Sequence, residues 1–537
     1  MTSRLKSVML FLLLVFCSIS IFAQTFSSSN LPIITINTGG QTIPDDPKII
    51  ADMGIIWNGE GKRNSLTDTK NNYNGKIAIE LRGSSSQMFP KKGYGFETRG
   101  SDLADLDVSL LGMPAENDWV LYAPYTDKSL IRDVFTYTID ASLGHWSPRC
   151  RYVELFLNGS YQGVYVLIEK IKRDKNRVDI AKMTVNDVSG EDLTGGYIIK
   201  IDKTTGGSGA GWYSSYSNTV GKTLYQYDYP KDSEITSLQK SYIQTYVRMM
   251  ENALYTENFI YPGNYHEYLN DSSFIDFMII NELAKNVDGY RLSSYLYKGK
   301  NDRLNCGPIW DFNLTYGNAN YYDGWLPTGF QYKAYLGNDG WQNPFWWGKL
   351  MKDPAYVTRL QDRWATLRQK ELSNERITFV IDSLTNLISE AKDRNYERWT
   401  GVIGNYIWPN YFVGRTYDEE ISWMKSWITQ RLAFLDGEWP GKITNTDKLL
   451  ATNKCAVYPN PFGDELTIYF NSAIEGDIGI DVYSINGLLL KSFQSVVQSG
   501  NLRLDFSGNN RISQGIYLLK VKQNNRILST MKVIKMK

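Results

Sequence analysis

The chain has few of the residues that build most zinc sites and nucleophilic triads. Its 537 residues include only two histidines, which argues against a histidine-based zinc site and against a Ser-His-Asp triad. Beyond the N-terminal apolar run there are three cysteines, Cys150, Cys306 and Cys455. Because they are odd in number and far apart, they provide no disulfide framework. A Cys150–Cys306 disulfide and buried free thiols both remain compatible with the sequence.

The chain also lacks an excess of charge of either sign. Its 58 basic and 57 acidic residues give a net charge of +1, so no field favours nucleic acid or anionic lipid as a partner. A hydrophobic content of 42% and a charged content of 21% are typical of folded domains. Aromatic residues reach 14%, and they either fill cores or form surfaces that stack on adenine or sugars.

Long apolar runs are missing except at the N-terminus. Arg4 and Lys6 precede an apolar run over residues 8–22, and Ala23 follows it. This pattern predicts a signal peptide over residues 1–23, because the run is short for a membrane span. We therefore expect an exported protein with no transmembrane segment in the mature chain.

The periodicity of the remaining sequence predicts an α+β protein. Residues 24–49 form a turn-rich N-terminal segment, and alternation over residues 76–82 and around Asn158-Gly159 indicates strands and a hairpin. Residues 203–220, rich in Gly, Ser and Thr, are predicted to be a loop. Asp127 is predicted to cap a helix that runs to about residue 139. Further helical periodicity covers residues 235–256, 272–285, 354–371, 376–393 and 418–435. A β-rich lobe followed by an α-rich lobe is thus expected over residues 50–440.

The C-terminal part differs in character from the rest. Residues 441–454 are polar and are predicted to be a linker, and residues 455–537 alternate as short strands separated by Gly and Asn turns. The pattern predicts a small antiparallel β-sandwich.

Two aspartates are the main candidates for chemistry. Asp288 precedes a predicted strand and Asp311 follows the next one, 311 − 288 = 23 positions later. A hairpin between them would bring both carboxylates to one end of a cleft, as phosphoryl transfer requires. Alternatively, Asp288 and Asp311 are only turn residues.

The blocks around these aspartates resemble the CotH kinase family of atypical secreted or spore-coat kinases. The stretch from Asn286 to Arg291 matches the family's catalytic loop, and the resemblance implies that Asp288 acts in catalysis. The pair Trp310-Asp311 matches the family's metal-binding pair, and the resemblance implies that Asp311 binds the metal. The resemblance covers about residues 50–435. Further matching blocks are residues 81–86, 89–94, 116–121, 127–132, 158–169 and 343–350. The resemblance implies a bilobal protein-kinase-like fold, ATP with a divalent cation (Mg²⁺, Mn²⁺ or Ca²⁺), and a protein acceptor phosphorylated on Ser or Thr.

The same resemblance suggests the residues that hold the nucleotide. Lys92 is the candidate phosphate-binding lysine, because strand alternation puts it on the same face as Tyr94; Lys91 is the rival. Arg82 either reaches a phosphate or pairs with a nearby carboxylate. Glu169 stands at the position of a kinase hinge, where its side chain is either functional or structural.

Two departures from the family pattern keep a second function open. Ser293 stands five positions after Asp288, where kinases often carry a metal-binding Asn, and Asn313 stands where relatives often have a second acidic residue. The alternative is a non-catalytic, degenerate kinase at the cell surface that binds glycan or protein partners.

The tail resembles a type IX secretion C-terminal sorting domain. The resemblance rests on residues 457–462, 481–487, 515–518 and 532–535, in this order. It implies export through the periplasm, recognition by the type IX secretion machinery, and a final position that is secreted or attached to the cell surface. A generic small β-sandwich, including a carbohydrate-binding one, is the alternative.

Overall fold

The computed structural model describes residues 26–205, 209–218, 220–260, 263–441, 455–470, 476–484, 488–497, 501–508, 512–523 and 526–536. The predicted signal peptide, the predicted linker except its first residue, and the Asn486-Gly487 pair, which is predicted to form a hairpin turn, lie outside the described residues. Contacts divide the chain into two compact units, one within Met1–Val357 and Asn374–Leu435, the other within Thr358–Ser373 and Asp436–Lys537. Within the described ranges, no helix has both the length and the apolar composition needed to cross a membrane.

A closed barrel of seven strands forms the start of the first unit. Its strands are β1 (Ile33–Asn37), β2 (Ile49–Ile56), β3 (Tyr73–Arg82), β4 (Gly93–Arg99), β5 (Asp118–Tyr122), β6 (Cys150–Leu157) and β7 (Ser160–Glu169). The order around the barrel is β1-β2-β3-β4-β5-β7-β6, and the parallel pair β1–β6 closes it. The mixed α/β class and the strands predicted in this region are confirmed.

Alternation of apolar and polar residues explains the barrel strands. Ile77 and Ile79 are fully buried inside the barrel, whereas Lys76 is exposed. Asn158 and Gly159 connect β6 to β7 with φ angles of 49° and 76°, the left-handed geometry that a two-residue hairpin turn requires. Both the core pattern and this hairpin therefore follow from local sequence.

A second sheet follows the barrel in the first unit. Its strands are β8 (Tyr197–Ile201), β9 (Gly211–Ser217), β10 (Lys222–Tyr229), β11 (Ser294–Lys298) and β12 (Leu304–Cys306), in the order β12-β11-β8-β10-β9. The predicted loop over residues 203–220 is wrong where β9 lies. Trp212 pairs with Tyr225 of β10 and stacks on it at 5.3 Å between ring centroids, and this long-range contact overrides the loop-forming composition.

The helices lie mainly after the barrel. They are α1 (Arg132–Ser142), α2 (Gly190–Leu193), α3 (Ser237–Tyr255), α4 (Asp271–Ala284), α5 (Trp346–Leu350), α6 (Pro354–Leu367), α7 (Asn374–Leu387), α8 (Ala391–Arg398) and α9 (Tyr417–Glu438). The helix predicted to start at Asp127 instead starts at Arg132. Leu130 has a φ of 63°, which breaks helical geometry, and the Asp127 carboxylate accepts the N–H groups of Ser129 and Arg132 at 3.0 and 2.9 Å.

The C-terminal region of the second unit contains only antiparallel strand pairs among its described residues. The strands are β13 (Cys455–Tyr458), β14 (Glu465–Phe470), β15 (Gly476–Ser484), β16 (Leu489–Val497), β17 (Asn501–Asp505), β18 (Gly515–Gln523) and β19 (Arg526–Lys535). They form two sheets, ordered β13-β14-β17 and β16-β15-β18-β19. Ile468 from the first sheet and Ile480 from the second belong to one hydrophobic core. The predicted antiparallel strands are confirmed.

Candidate active site

The hairpin β11–β12 brings the loops of Asp288 and Asp311 to the same end. Asp288 precedes β11 and Asp311 follows β12, and these two strands pair antiparallel. Asn286 joins the two loops directly. Its side-chain amide donates to the Asp311 carbonyl oxygen at 3.4 Å, and its side-chain oxygen accepts the Asp288 N–H at 3.1 Å.

The carboxylate of Asp288 is oriented by Arg291. The buried guanidinium of Arg291 donates to Asp288 Oδ1 at 2.6 Å and to Asp339 Oδ2 at 2.9 Å. The Asp288 side chain keeps 25% of its surface exposed. A carboxylate with a fixed orientation and solvent access can accept a proton from a hydroxyl that approaches it.

Helix α1 holds the backbone of the Asp311 loop. Asp311 has a φ of 64°, a left-handed conformation that is uncommon outside glycine. Its N–H donates to the Tyr137 hydroxyl oxygen at 3.1 Å, and the next N–H, of Phe312, donates to Asp133 Oδ1 at 2.7 Å. Tyr137 also stacks on Trp310 at 6.2 Å between ring centroids. These contacts stabilise the strained conformation of Asp311.

The electrostatic surroundings of Asp311 disfavour its negative charge. Protein surrounds the carboxyl on most sides, although the residue is open to solvent. This burial raises the pKa of Asp311 to about 7, and the charges of Asp288 and Asp202 add to the effect. A bound cation would relieve this repulsion, because it compensates several carboxylates at once.

Asp133 is a second carboxyl with a perturbed pKa at this position. It is buried in α1, and burial followed by the charge of Asp311 raises its pKa to about 8. Asp133 and Asp311 therefore repel each other when both are ionised. Groups with such shifts mark candidate functional sites.

Two cations, Arg82 and Lys203, partly offset the negative charge at Asp311. Arg82, at the end of β3, lies over the Trp310 ring with 5.5 Å from its guanidinium carbon to the ring centroid. Lys203 follows β8, and two residues later the Thr205 hydroxyl donates to Ser84 Oγ at 3.2 Å. The loops after β3 and β8 therefore meet near Asp311, and both contribute groups that can bind phosphate.

The loop after β3 requires glycine at its first residue. Gly83 has a φ of 113°, and a Cβ built there would lie 1.9 Å from Ser86 Oγ. A short 3₁₀ turn, Ser85–Met88, follows. A side chain on Gly83 would therefore displace the Ser86 hydroxyl.

The structure separates the two neighbouring lysines. The buried Lys91 ammonium donates to the Val164 carbonyl oxygen at 2.6 Å and to Asn395 Oδ1 at 2.8 Å, and burial lowers its pKa. The half-buried Lys92 ammonium donates to the Gln87 carbonyl oxygen at 2.5 Å, at the end of the serine turn. Lys91 is thus occupied by structural contacts, and Lys92 lies at the end of the loop that begins at Gly83.

The remaining predicted residues have local partners. Glu169 is fully buried and accepts two hydrogen bonds from the Arg149 guanidinium, at 2.7 and 2.8 Å. Its side chain is therefore held in an ion pair at the end of β7. Asn313 donates to Asp311 Oδ1 at 2.9 Å and fixes that oxygen.

Sequence reasoning missed Asp133, Tyr137, Asp202 and Lys203. Asp133 and Tyr137 are one helical turn apart, so both face the same side of α1, and Asp133 directly follows a block already singled out at residues 127–132. That signal was available. Lys203 lies in the segment interpreted as a loop, where nothing in the sequence distinguishes it. Cys150 and Cys306 are free thiols rather than a disulfide.

A divalent cation would fit this donor set only if a nucleotide supplied further oxygen ligands. Among the described residues, no three or more His, Cys, Asp or Glu side chains are arranged to hold a metal ion. Mg²⁺ is commonly bound by one or two carboxylates together with phosphate oxygens and water. Asp311 and its neighbours therefore suit a cation that arrives with a nucleotide.

Comparisons with known proteins identify two regions of the chain. The family model described as CotH kinase protein matches residues 79–435, and the model described as secretion system C-terminal sorting domain matches residues 456–536. No curated protein matches the chain.

One solved structure that the chain matches is the Pseudomonas fluorescens alkylpurine DNA glycosylase AlkC bound to DNA containing an abasic site analog. The identity is 12%, the TM-score is 0.11, and the match covers 37% of this chain and 56% of that one. The chain therefore spans little more than half the length of that structure, and a TM-score this low carries no argument about function.

Proposed function

The chain belongs to the CotH kinase protein family, and from this premise we propose that it is a secreted kinase that transfers phosphate from ATP to Ser or Thr of an extracellular or envelope protein. The observation that carries the proposal is the link through Asn286, which ties the backbone of Asp311 to that of Asp288. Two carboxylates at one end of a hairpin, with cations beside one of them, suit phosphoryl transfer.

The proposed roles follow from the surroundings of each residue. Asp288, oriented by Arg291, accepts the proton of the acceptor hydroxyl. The hydroxyl oxygen then forms a bond to the γ-phosphorus while the bond between that phosphorus and the β–γ bridging oxygen breaks, and ADP leaves with the electron pair. Asp311, with Asn313 on its Oδ1, holds the divalent cation, which when bound neutralises charge on the phosphates. Arg82, Lys203 and Lys92 bind phosphate oxygens.

The proposal includes a fold assignment. The barrel is the counterpart of the kinase N-lobe, the sheet and helices after it are the counterpart of the C-lobe, and Glu169 stands at the hinge between them. The kinase domain extends over residues 50–440, the linker over 441–454, and the sorting domain over 455–537. A cleft between a strand-rich and a helix-rich lobe would place Arg82, from the barrel, opposite Asp311.

A thermal-shift measurement on the mature chain tests the proposal. ATP with Mg²⁺ or Mn²⁺ should raise the unfolding temperature of the wild type, because a ligand that binds only the folded state stabilises it. Asp311→Asn should abolish the shift, and the matched control Asp52→Asn, an exposed barrel aspartate, should retain it. A wild type that shows no shift with any nucleotide and metal would contradict the proposal.

The alternative of a non-catalytic surface protein is supported by the two departures at Ser293 and Asn313. Under this alternative, nucleotide still binds but no phosphate is transferred to the protein itself or to general acceptors. A wild type that shows a nucleotide shift without incorporation of labelled phosphate would favour it over the kinase.

Export by the type IX secretion machinery forms the second part of the proposal. The signal peptide directs the chain to the periplasm, and the C-terminal domain is recognised for the outer-membrane step. Deletion of residues 456–537 should leave the central domain folded and retained in the periplasm of the native host. Normal surface delivery of that truncated chain would contradict this part.

A further inference from the structure

Five aromatic side chains form a surface that we call the aromatic platform: Tyr321, Trp325, Tyr406, Trp408 and Tyr411. They lie on two loops of the first unit, which an isolated β-bridge between Ala319 and Asn410 joins. The rings are nearly parallel and stack in two pairs: Trp408 with Tyr321 at 10° with 6.4 Å between centroids, and Trp325 with Tyr411 at 9° with 5.2 Å. Stacking fixes the plane of each ring, so a ligand would meet only the ring faces that the partner ring leaves uncovered.

Three members of the platform are exposed to solvent. Tyr406 exposes 56%, Trp408 45% and Tyr411 47% of their surface. Large apolar side chains grouped at the surface are characteristic of binding sites rather than of ordinary protein exterior. A ligand that covered these rings would bury apolar area that folding leaves in water.

Buried cations hold the platform in place. The Lys285 ammonium donates to the carbonyl oxygens of Asp323, Leu326 and Thr328 at 2.8, 3.1 and 2.7 Å. Arg431 donates to the carbonyl oxygens of Pro327 and Gly329 at 3.0 and 2.6 Å. The loop that carries Tyr321 and Trp325 is thus fixed before any ligand arrives, which lowers the entropic cost of binding.

A continuous set of contacts connects the platform to Asp288. The ring of Tyr321 contacts that of Tyr322 at 5.1 Å between centroids, and the Tyr322 hydroxyl donates to Asp339 Oδ2 at 2.8 Å. The same oxygen accepts a hydrogen bond from Arg291, which also binds Asp288. The platform and the proposed catalytic carboxylate therefore belong to one connected set of side chains.

The chemistry of the platform favours an uncharged, polyhydroxylated ligand. Arg291 is neutralised by Asp288 and Asp339, and the polar groups at the platform's edge include an amide and a phenol, with Asn320 donating to the Tyr406 hydroxyl at 2.9 Å. The C–H bonds on one face of a sugar ring carry a partial positive charge that suits the negative face of an aromatic ring. Hydroxyls at the edge of such a sugar would then meet the amide and phenol groups.

We propose that the aromatic platform binds an uncharged oligosaccharide, the carbohydrate part of a glycosylated protein acceptor, and thereby holds the Ser or Thr of that protein for Asp288. The positioning of the Ser or Thr rests on the proposed kinase function, whereas the binding of the oligosaccharide does not. The substrate class is accordingly a glycosylated protein.

Isothermal titration of the mature chain without nucleotide tests the binding, with cellohexaose, chitohexaose and mannohexaose as probes. We expect at least one probe to bind, and we expect Trp408→Ala and Tyr411→Ala each to weaken its binding about tenfold or more. The matched control is Tyr213→Ala, which removes a 65% exposed tyrosine from β9 and should bind as the wild type does. Unchanged unfolding temperatures show that the variants are folded.

Three results would overturn the inference: no probe binding at about millimolar concentration, equal loss in Tyr213→Ala, or a platform that binds unglycosylated Ser-containing peptides in preference to the probes. Transfer of labelled phosphate is measured separately. The binding measurement uses no nucleotide, so a failure of the kinase proposal leaves the binding result interpretable.

Discussion

The barrel and the segment over residues 285–330 are specified in different ways. The barrel interior is apolar, its strands alternate, and the exposed ion pair Lys76–Asp52 lies on the outside. In the segment, buried polar side chains such as Asn286 and Arg291 hold irregular loops. Its non-glycine residues with left-handed φ angles are Lys285, Tyr290, Ser293, Asn301, Asp311, Tyr316, Tyr322 and Asp323. Local pattern determines the barrel, whereas long-range hydrogen bonds determine the site.

The largest expected effect on stability lies in the barrel. Trp119 is fully buried in the barrel core, and Trp119→Ala should lower the free energy of unfolding by about 3–5 kcal/mol, because it leaves a large cavity. Urea unfolding of the mature chain measures this. Asp288→Asn, in the irregular segment, should leave the same transition almost unchanged. A loss below about 1 kcal/mol for Trp119→Ala would mean that the barrel does not depend on its core as described.

Removing the acceptor for the Phe312 amide should have an intermediate effect. Asp133→Ala should lower the free energy of unfolding by about 1–3 kcal/mol, since it leaves a buried N–H without its partner. It should also weaken metal-dependent nucleotide binding, because the Asp311 loop loses its support. Asp133→Asn keeps an oxygen at this position and should restore both quantities in part. If Asp133→Asn behaves like Asp133→Ala, the carboxyl acts through its charge and not as the hydrogen-bond acceptor for the Phe312 N–H.

Much of the barrel could be predicted from the sequence, but few of the contacts that hold the Asp311 loop could be. The apolar alternation of β3 and the Asn158-Gly159 turn are local signals, and both were read correctly. The start of α1 was misread because Leu130 takes a left-handed conformation that tertiary contacts stabilise. The partners of Asp311 on α1 lie 178 and 174 positions away from it (311 − 133 and 311 − 137), and no periodicity reports contacts of that range. The family resemblance supplied the two aspartates; the geometry supplied Asp133, Tyr137, Asp202 and Lys203.

A smaller effect should appear in the pH dependence of stability. Burial, with Asp288 and Asp202, raises the pKa of Asp311 to about 7, whereas an unfolded Asp titrates at about 3.9. The folded state therefore prefers the protonated group, so the metal-free protein should lose this stabilisation as the pH rises through about 7. The amplitude should be small because the group is open to solvent. Unfolding midpoints between about pH 5 and 8 measure it. Asp311→Asn should remove this contribution to the pH dependence of stability. If that variant showed the same pH dependence as the wild type, the raised pKa would not belong to Asp311.

The smallest effect is expected for a surface ion pair of the barrel. Lys76 and Asp52 lie 2.7 Å apart with 46% and 60% of their side chains exposed. Asp52→Asn should change the free energy of unfolding by less than about 0.5 kcal/mol, because solvent screens exposed pairs. Urea unfolding in low salt is the sensitive measurement. A loss above about 1 kcal/mol would show that surface charge contributes more to the barrel than its apolar core suggests.

The central claim is that Asp288 and Asp311 do different work at one site, and a paired measurement on the two Asn variants tests it most directly. Nucleotide binding with Mg²⁺ or Mn²⁺ and transfer of labelled phosphate are measured on the same protein samples. Asp311→Asn should lose both, since the cation loses its protein ligand. Asp288→Asn should bind nucleotide as the wild type does while its transfer falls by about two to four orders of magnitude. Equal behaviour of the two variants, or full transfer by Asp288→Asn, would contradict the account.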